Sequence, residues 1–259
     1  MALTSHAIQV DGVARRFLLA AGSSAPSAIV LSLHGSRSGP ASQARLSRME
    51  ALTEQGAVIC FPQGSVPSGS GFEWDLVVDE GFLQATVASL REQFASARTR
   101  VCMTGMSGGA RMSSWFAARH PETVMVLGAV AGLRAPPVGI LERPVRVVAF
   151  HGTSDRINPF GGSGTVRWDQ SVTDAASAWA RANGHRTEAV QEPVTPRVTR
   201  LDFGDEDEPG AVTLWVCQGA GHTWPGSRLP IFLKLFLGQT SHEVDATAEI
   251  WRAVQVGAG

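Results

Sequence analysis

The sequence predicts an α/β fold: a mostly parallel central sheet, an N-terminal antiparallel hairpin and helices on both faces, folded as one domain over residues 1–259. Two patterns and the composition carry that prediction. Short apolar runs bounded by turn residues alternate with longer stretches of helical periodicity, as expected of strands buried on both faces by their crossover helices. The first two runs instead alternate residue by residue around Asp11-Gly12, a two-residue loop whose Gly tolerates the positive φ of a hairpin turn. Of the 259 residues, 44% are hydrophobic and 17% charged, a composition that fills a core and is remote from disorder. A chain of this length buries roughly 70–75% of its unfolded surface and needs no metal or disulfide staple.

Taken in order, residues 6–10 and 13–20 form the hairpin. The apolar runs 28–33, 57–61, 100–104, 124–131, 145–150 and 212–217 are predicted as buried strands. Residues 41–55, 79–96, 108–119 and 171–183 carry helical periodicity, with Gln55-Gly56 and Asn183-Gly184 as stop signals, and 244–254 gives a final helix. The acidic stretch DFGDEDEPG, residues 202–210, contains Pro-Gly and is a surface turn between strands rather than a metal site. Cys60, Cys102 and Cys217 each sit inside a strand-like run, so they are expected to be buried small hydrophobes. None lies in a CxxC or Cys/His cluster, and no metal or cofactor is expected.

Charge and hydropathy remove other classes. The formal net charge is −1 with acidic and basic residues mixed, which leaves no basic footprint for nucleic acid. The longest apolar stretches, 124–133 and 231–237, fall short of the roughly 20 residues a bilayer span needs. The N-terminus MALTSHAIQVDGVARRF lacks a basic segment followed by an apolar one, so a cytoplasmic location is expected unless a leader has been removed.

The chemistry concentrates in RVCMTGMSGGARMSSWFAARHP. An apolar strand runs into Gly105-Met106-Ser107-Gly108-Gly109 and then into a helix, the context of a G-x-S-x-G nucleophile elbow. The turn is too sharp for side chains at the two outer glycines, and it aims Ser107 above the sheet, beside the free N–H groups of the helix start. A serine hydroxyl needs a base, and the base needs an orienting carboxylate, in the chain order Ser, Asp or Glu, His. Five histidines follow Ser107. His120 ends the helix after the elbow, His185 follows Asn-Gly in a turn, and His242 precedes the last helix. His151 follows a strand within HGTSD, where Asp155 is the candidate carboxylate, and His222 lies in the Gly-rich QGAGHTWPG loop at a strand's C-terminal end, where open α/β sheets place ligand-facing groups. Ser107, Asp155 and His222 are therefore the predicted triad.

An oxyanion must also be neutralised, by backbone N–H donors from the residue after the nucleophile and from a loop after an early strand. Gly108 supplies the first, and Ser36 of LHGS the second, with Gly35 as the alternative. With no Tyr in the chain, no phenol can assist. His34 precedes the nucleophile and is expected to orient that loop. Trp74 and Trp224 are candidates to line the substrate cleft, and the apolar segment 229–237 is either a cap over it or part of the core.

At these residues the chain resembles the polyhydroxybutyrate depolymerase and feruloyl esterase group of carbohydrate esterase family 1. The motifs LHGS, VDEGFLQATVASL, TGMSGGARMS, HGTSDRINPFGG, GHTWPG and DATAEIWRAV occur in the family's order from residue 31 to the C-terminal region. The resemblance implies an α/β-hydrolase fold and carries the triad onto Ser107, Asp155 and His222. Many members place Cys after the His-Gly of the oxyanion loop, where this chain has Ser36, so a family disulfide there is absent. Secreted members carry a signal peptide, and polymer-degrading ones often add a binding domain; neither is visible, which favours a soluble ester. The expected function is a serine esterase acting through an acyl-enzyme on a feruloyl, acetyl or hydroxyalkanoate ester. The alternatives are a serine peptidase or acyltransferase on the same fold, or a non-catalytic ligand-binding homologue; the oligomeric state is not readable.

Overall fold

In the computed structural model, which describes residues 2–22, 26–94, 99–165, 168–228 and 230–256, the chain begins with β1 (Thr4–Val10) and β2 (Val13–Ala21) paired antiparallel. Asp11 and Gly12 both take positive φ, 49° and 77°, as a two-residue hairpin loop requires. There follow β3 (Ala28–Leu33), α1 (Pro40–Ser47), β4 (Ala57–Pro62), the short strands β5 (Val66–Ser68) and β6 (Gly71–Glu73), and α2 (Val78–Phe94). The second half supplies β7 (Arg100–Met106), α3 (Gly108–Arg119), β8 (Val126–Val130), β9 (Arg146–Gly152), α4 (Val172–Ala182), β10 (Val190–Thr195), β11 (Val198–Phe203), β12 (Val212–Cys217), α5 (Ile231–Leu237) and α6 (Ala246–Gln255).

Among the described residues the main sheet runs β1-β2-β4-β3-β7-β8-β9-β12-β11-β10. From β4 to β12 every neighbour is parallel, and every residue of β3, β4 and β8 is buried, which is why these segments read as unbroken apolar runs. Side chains of α2, α3 and α4, such as Phe82, Phe116 and Trp179, pack in the core on one face. Ala44 of α1 and Ile250 and Trp251 of α6 pack in the core on the other. Cys60, Cys102 and Cys217 are buried; burial pushes all three thiols up, that of Cys217 to about 11.

Three features depart from the sequence reading. The helix expected over 41–55 breaks at Arg48, whose φ of 54° ends α1, and a 3₁₀ turn over Met49–Gln55 replaces the remainder. Met49 and Leu52 thereby enter the core on the α6 side. A second antiparallel edge, β11 with β10, closes the far end of the sheet. Its outer strand, VQEPVT, is almost wholly exposed and contains Pro, so it has neither apolar alternation nor strand-like composition, as suits an edge. The third is the small β5–β6 hairpin, which no sequence signal predicts.

That hairpin matters because it holds the loop beside the site. Phe72 N–H donates to Ser38 O at 2.7 Å, tying it to the segment after β3. Beneath it, Arg15 of β2 and Asp79 of α2 form a buried ion pair. Asp79 also accepts from Ser65 N–H and Oγ–H, at 3.3 and 3.1 Å, and from Asp75 N–H at 2.8 Å. Among the described residues, no helix is long and apolar enough to cross a membrane.

Candidate active site

Ser107 sits between the end of β7 and the start of α3 with φ 55° and ψ −115°, outside the regions open to L-residues and costing about 1–3 kcal/mol. The strain is held by neighbours on both sides. Ser107 N–H donates to Val130 O of β8 at 2.9 Å, and Ser107 O accepts Arg111 N–H of α3 at 3.0 Å. A Cβ on Gly105 would stand 2.6 Å from the Gly109 backbone, and one on Gly109 would meet Leu33 O and, at 2.6 Å, His34 O. Helix, elbow and β3 can pack this closely only because both positions lack side chains.

The loop after β3 is fixed by His34, whose ring is fully buried. Nδ1–H donates to Gly35 O at 2.9 Å, and Nε2 accepts Gly64 N–H at 3.0 Å, which selects one neutral tautomer. Burial lowers the pKa of His34. Trp74 closes the arrangement: its indole N–H donates to His34 O at 2.8 Å, and the two rings lie 4.8 Å apart. His34 is thus a loop anchor, as expected from its place before Ser107 in the chain. Ser36 faces the elbow closely enough that a Cβ on Gly108 would lie 3.1 Å from Ser36 N.

Asp155 lies in the loop after β9 and His222 in the loop after β12, adjacent parallel strands. His222 Nδ1–H donates to Asp155 Oδ2 at 2.7 Å, while Asp155 Oδ1 accepts the N–H groups of Ile157 and Asn158, each at 2.9 Å. His151 Nε2–H donates to Asn158 O at 2.8 Å and lies 3.4 Å from Asp155 Oδ2. Burial alone would raise the Asp155 carboxyl; hydrogen bonds from His151 and His222, the His222 charge and the Asn158 N–H outweigh it and hold the group well below the usual carboxylate range. His222 is itself tied to α5, its N–H donating to Leu237 O at 2.6 Å.

Ser107, His222 and Ser36 line one cavity of about 560 Å³, whose apolar walls include Ile157, Leu233 and Leu237. Ser36 and Gly108 also line a second cavity, of about 390 Å³, with Trp74, Trp115, Arg111 and Arg134. The segment 229–237 therefore borders the site through α5, although Leu229 lies outside the described residues. Trp224 is a correction. It is 1% exposed, packs in the core on the α6 side and donates its indole N–H to Thr247 Oγ1 at 3.1 Å. Two residues beyond His222 the chain has turned inward, so this Trp supports the loop and does not line either cavity. Sequence reasoning missed Arg111 and Arg134; only the spacing of Arg111, four residues after Ser107 on a helix, offered a signal.

The parallel sheet with antiparallel ends, the strained serine between strand and helix, and the His–Asp pair on later strand ends belong to the α/β-hydrolase fold. The chain matches no protein-family model. It is similar to "Putative esterase NocK" of Nocardia uniformis subsp. tsuyamanensis, at 26% identity over 88% of this chain and 75% of that protein. Among solved structures it superposes on an acetyl xylan esterase from Aspergillus awamori with TM-score 0.64 and 15% identity, covering 85% of this chain and 94% of that one. Est1E from Butyrivibrio proteoclasticus gives TM-score 0.58 at 11% identity, over 97% and 99%. XC6422 from Xanthomonas campestris, described as a serine hydrolase without a lid, gives 0.55 at 13%, over 99% and 96%.

Proposed function

We propose that the protein is a serine hydrolase of carboxylic esters, with Ser107 as nucleophile, His222 as general base and Asp155 as the group that orients it. The observation that carries this reading is the buried 2.7 Å His222–Asp155 hydrogen bond, placed so that His222 shares a cavity with the strained Ser107. Asp155 holds the Nδ1 proton, so the neutral imidazole presents Nε2 as its acceptor, the form that removes a hydroxyl proton. Ser107 Oγ attacks the ester carbonyl as His222 takes its proton. The oxyanion is held by Gly108 and Ser36 N–H, each donor contributing about 3–4 kcal/mol. His222 then protonates the departing alcohol, and water releases the acyl group by the same steps. A small-molecule ester is the partner this reading requires.

The names of the similar proteins support an ester rather than an amide substrate. The order of the motifs, which resembles that of the polyhydroxybutyrate depolymerase and feruloyl esterase group, supports a feruloyl, acetyl or hydroxyalkanoate ester as substrate. Labelling of Ser107 by a fluorophosphonate, with loss of label and of p-nitrophenyl ester turnover in Ser107→Ala, is the expected result. An unlabelled, well-folded wild type would sink the proposal.

A further inference from the structure

The two cavities that meet at Ser36 and Gly108 are chemically unlike, and the geometry of acyl transfer assigns one ester half to each. In the tetrahedral intermediate the reacting carbon carries Ser107 Oγ, the oxyanion, the alcohol oxygen and the acyl chain. The alcohol oxygen must face His222, which protonates it. His222 lines the 560 Å³ cavity, beside Leu233, Leu237 and Ile157, so the alcohol half belongs there. The oxyanion faces the Gly108 and Ser36 N–H groups, and the acyl chain takes the remaining direction; the 390 Å³ cavity, which borders the first at Ser36, is the neighbouring space open to it.

That second cavity is built for charge. Arg111 stands one helical turn beyond Ser107, and its guanidinium comes within 3.6 Å of where a Gly108 Cβ would be, so it flanks the oxyanion donors. Arg134 enters from the loop after β8; Asp169 holds its guanidinium at 2.7 Å, and it lies 5.4 Å from the Trp168 ring centroid. Trp74 and Trp115 supply apolar wall to the same cavity. Among the described residues, Glu73 is the carboxylate on this lining, and it is engaged by Ser68 Oγ–H at 2.9 Å. A guanidinium recognises a carboxylate by paired, charge-assisted hydrogen bonds.

We propose that this cavity is the acyl subsite and that it takes an acyl chain ending in a carboxylate, so the substrates are half-esters of dicarboxylic acids with an apolar alcohol. The proposal rests on the esterase reading above. Hydrolysis of such an ester consumes water and yields the dicarboxylate and the free alcohol.

The test compares kcat/KM for monophenyl adipate and phenyl hexanoate, which share alcohol and acyl length and differ in the terminal carboxylate. The wild type is expected to favour the adipate by about tenfold or more, with the ratio falling as ionic strength rises. Arg111→Gln and Arg134→Gln should each bring the ratio toward one, while Arg111→Lys retains part of it. A wild-type ratio of one or below, or a ratio unmoved in both glutamine variants, overturns the subsite and leaves the esterase intact. Absence of turnover of both esters, together with an unlabelled Ser107, overturns the esterase reading and the subsite with it.

Discussion

The elbow at Ser107 and the helix α5 border the same cavity but are held in opposite ways. At the elbow, Gly108, Gly109 and Ala110 are buried, Ser107 is bonded to β8 on one side and α3 on the other, and β3 packs against the glycines. At α5 no side chain caps the helix start, and Leu235 and Phe236 are 83% and 77% exposed. Its described ties to the site are the Leu237 O bond to His222 N–H and the apolar contact of Leu233 and Leu237 with the cavity. The geometry around Ser107 is thus built into the sheet, while the cavity wall formed by Leu233 and Leu237 belongs to a short apolar helix whose described hydrogen bond to the site is made by Leu237 O. Sites that must hold atoms to fractions of an ångström gain from rigid elements, and surfaces that choose among substrates tolerate variation.

The contrast can be broken at several strengths. Removing the proposed base by His222→Ala should cost on the order of 10⁶-fold in kcat, and Asp155→Asn about 10⁴-fold, read by p-nitrophenyl ester kinetics. Gly109→Ala forces a methyl against Leu33 and His34 carbonyls; it should destabilise the fold by about 3 kcal/mol or more and lower Tm. Away from the elbow, Asp79→Asn leaves Arg15 buried without its charge partner and should cost about 3–5 kcal/mol in denaturant unfolding.

Acid should act through Asp155. Its folded-state pKa is depressed, so its stabilisation is present in full above the usual carboxylate range and is lost as pH falls through and below about 4. Measured unfolding free energies of wild type and Asp155→Asn should therefore converge on acidification; a gap independent of pH would show that the charge is not what stabilises. The smallest effect belongs to α5: Phe236→Ser changes an exposed side chain and should shift stability by no more than about 0.5 kcal/mol. A larger loss would mean that α5 is as firmly built in as the elbow.

Much of this contrast was readable in the chain. The parallel strands are apolar because both faces are covered, and the glycines around Ser107 are required by the turn itself, so both announce themselves locally. The pairing of Asp155 with His222 followed from chain order plus the strand ends that carry them. What was not readable depends on distant packing. β10 exists because β11 offers it an edge, not because VQEPVT favours a strand. Trp224 looked like a cleft residue from its neighbour His222, and only the direction of the loop turns it into the core. Arg111 and Arg134 lie 23 positions apart in the chain, and the path of β8 alone brings them to one cavity.

The backbone of Ser107 carries a consequence for how activity is acquired. Its conformation is imposed by three separate partners: the β8 carbonyl, the α3 turn and the β3 chain pressed against Gly109. A chain in which any of these is unassembled does not hold Ser107 in that conformation. On the mechanism proposed above, reactivity with a fluorophosphonate is therefore a clock for the joining of β3, β7 and β8 with β9 and β12, the strands that carry Asp155 and His222.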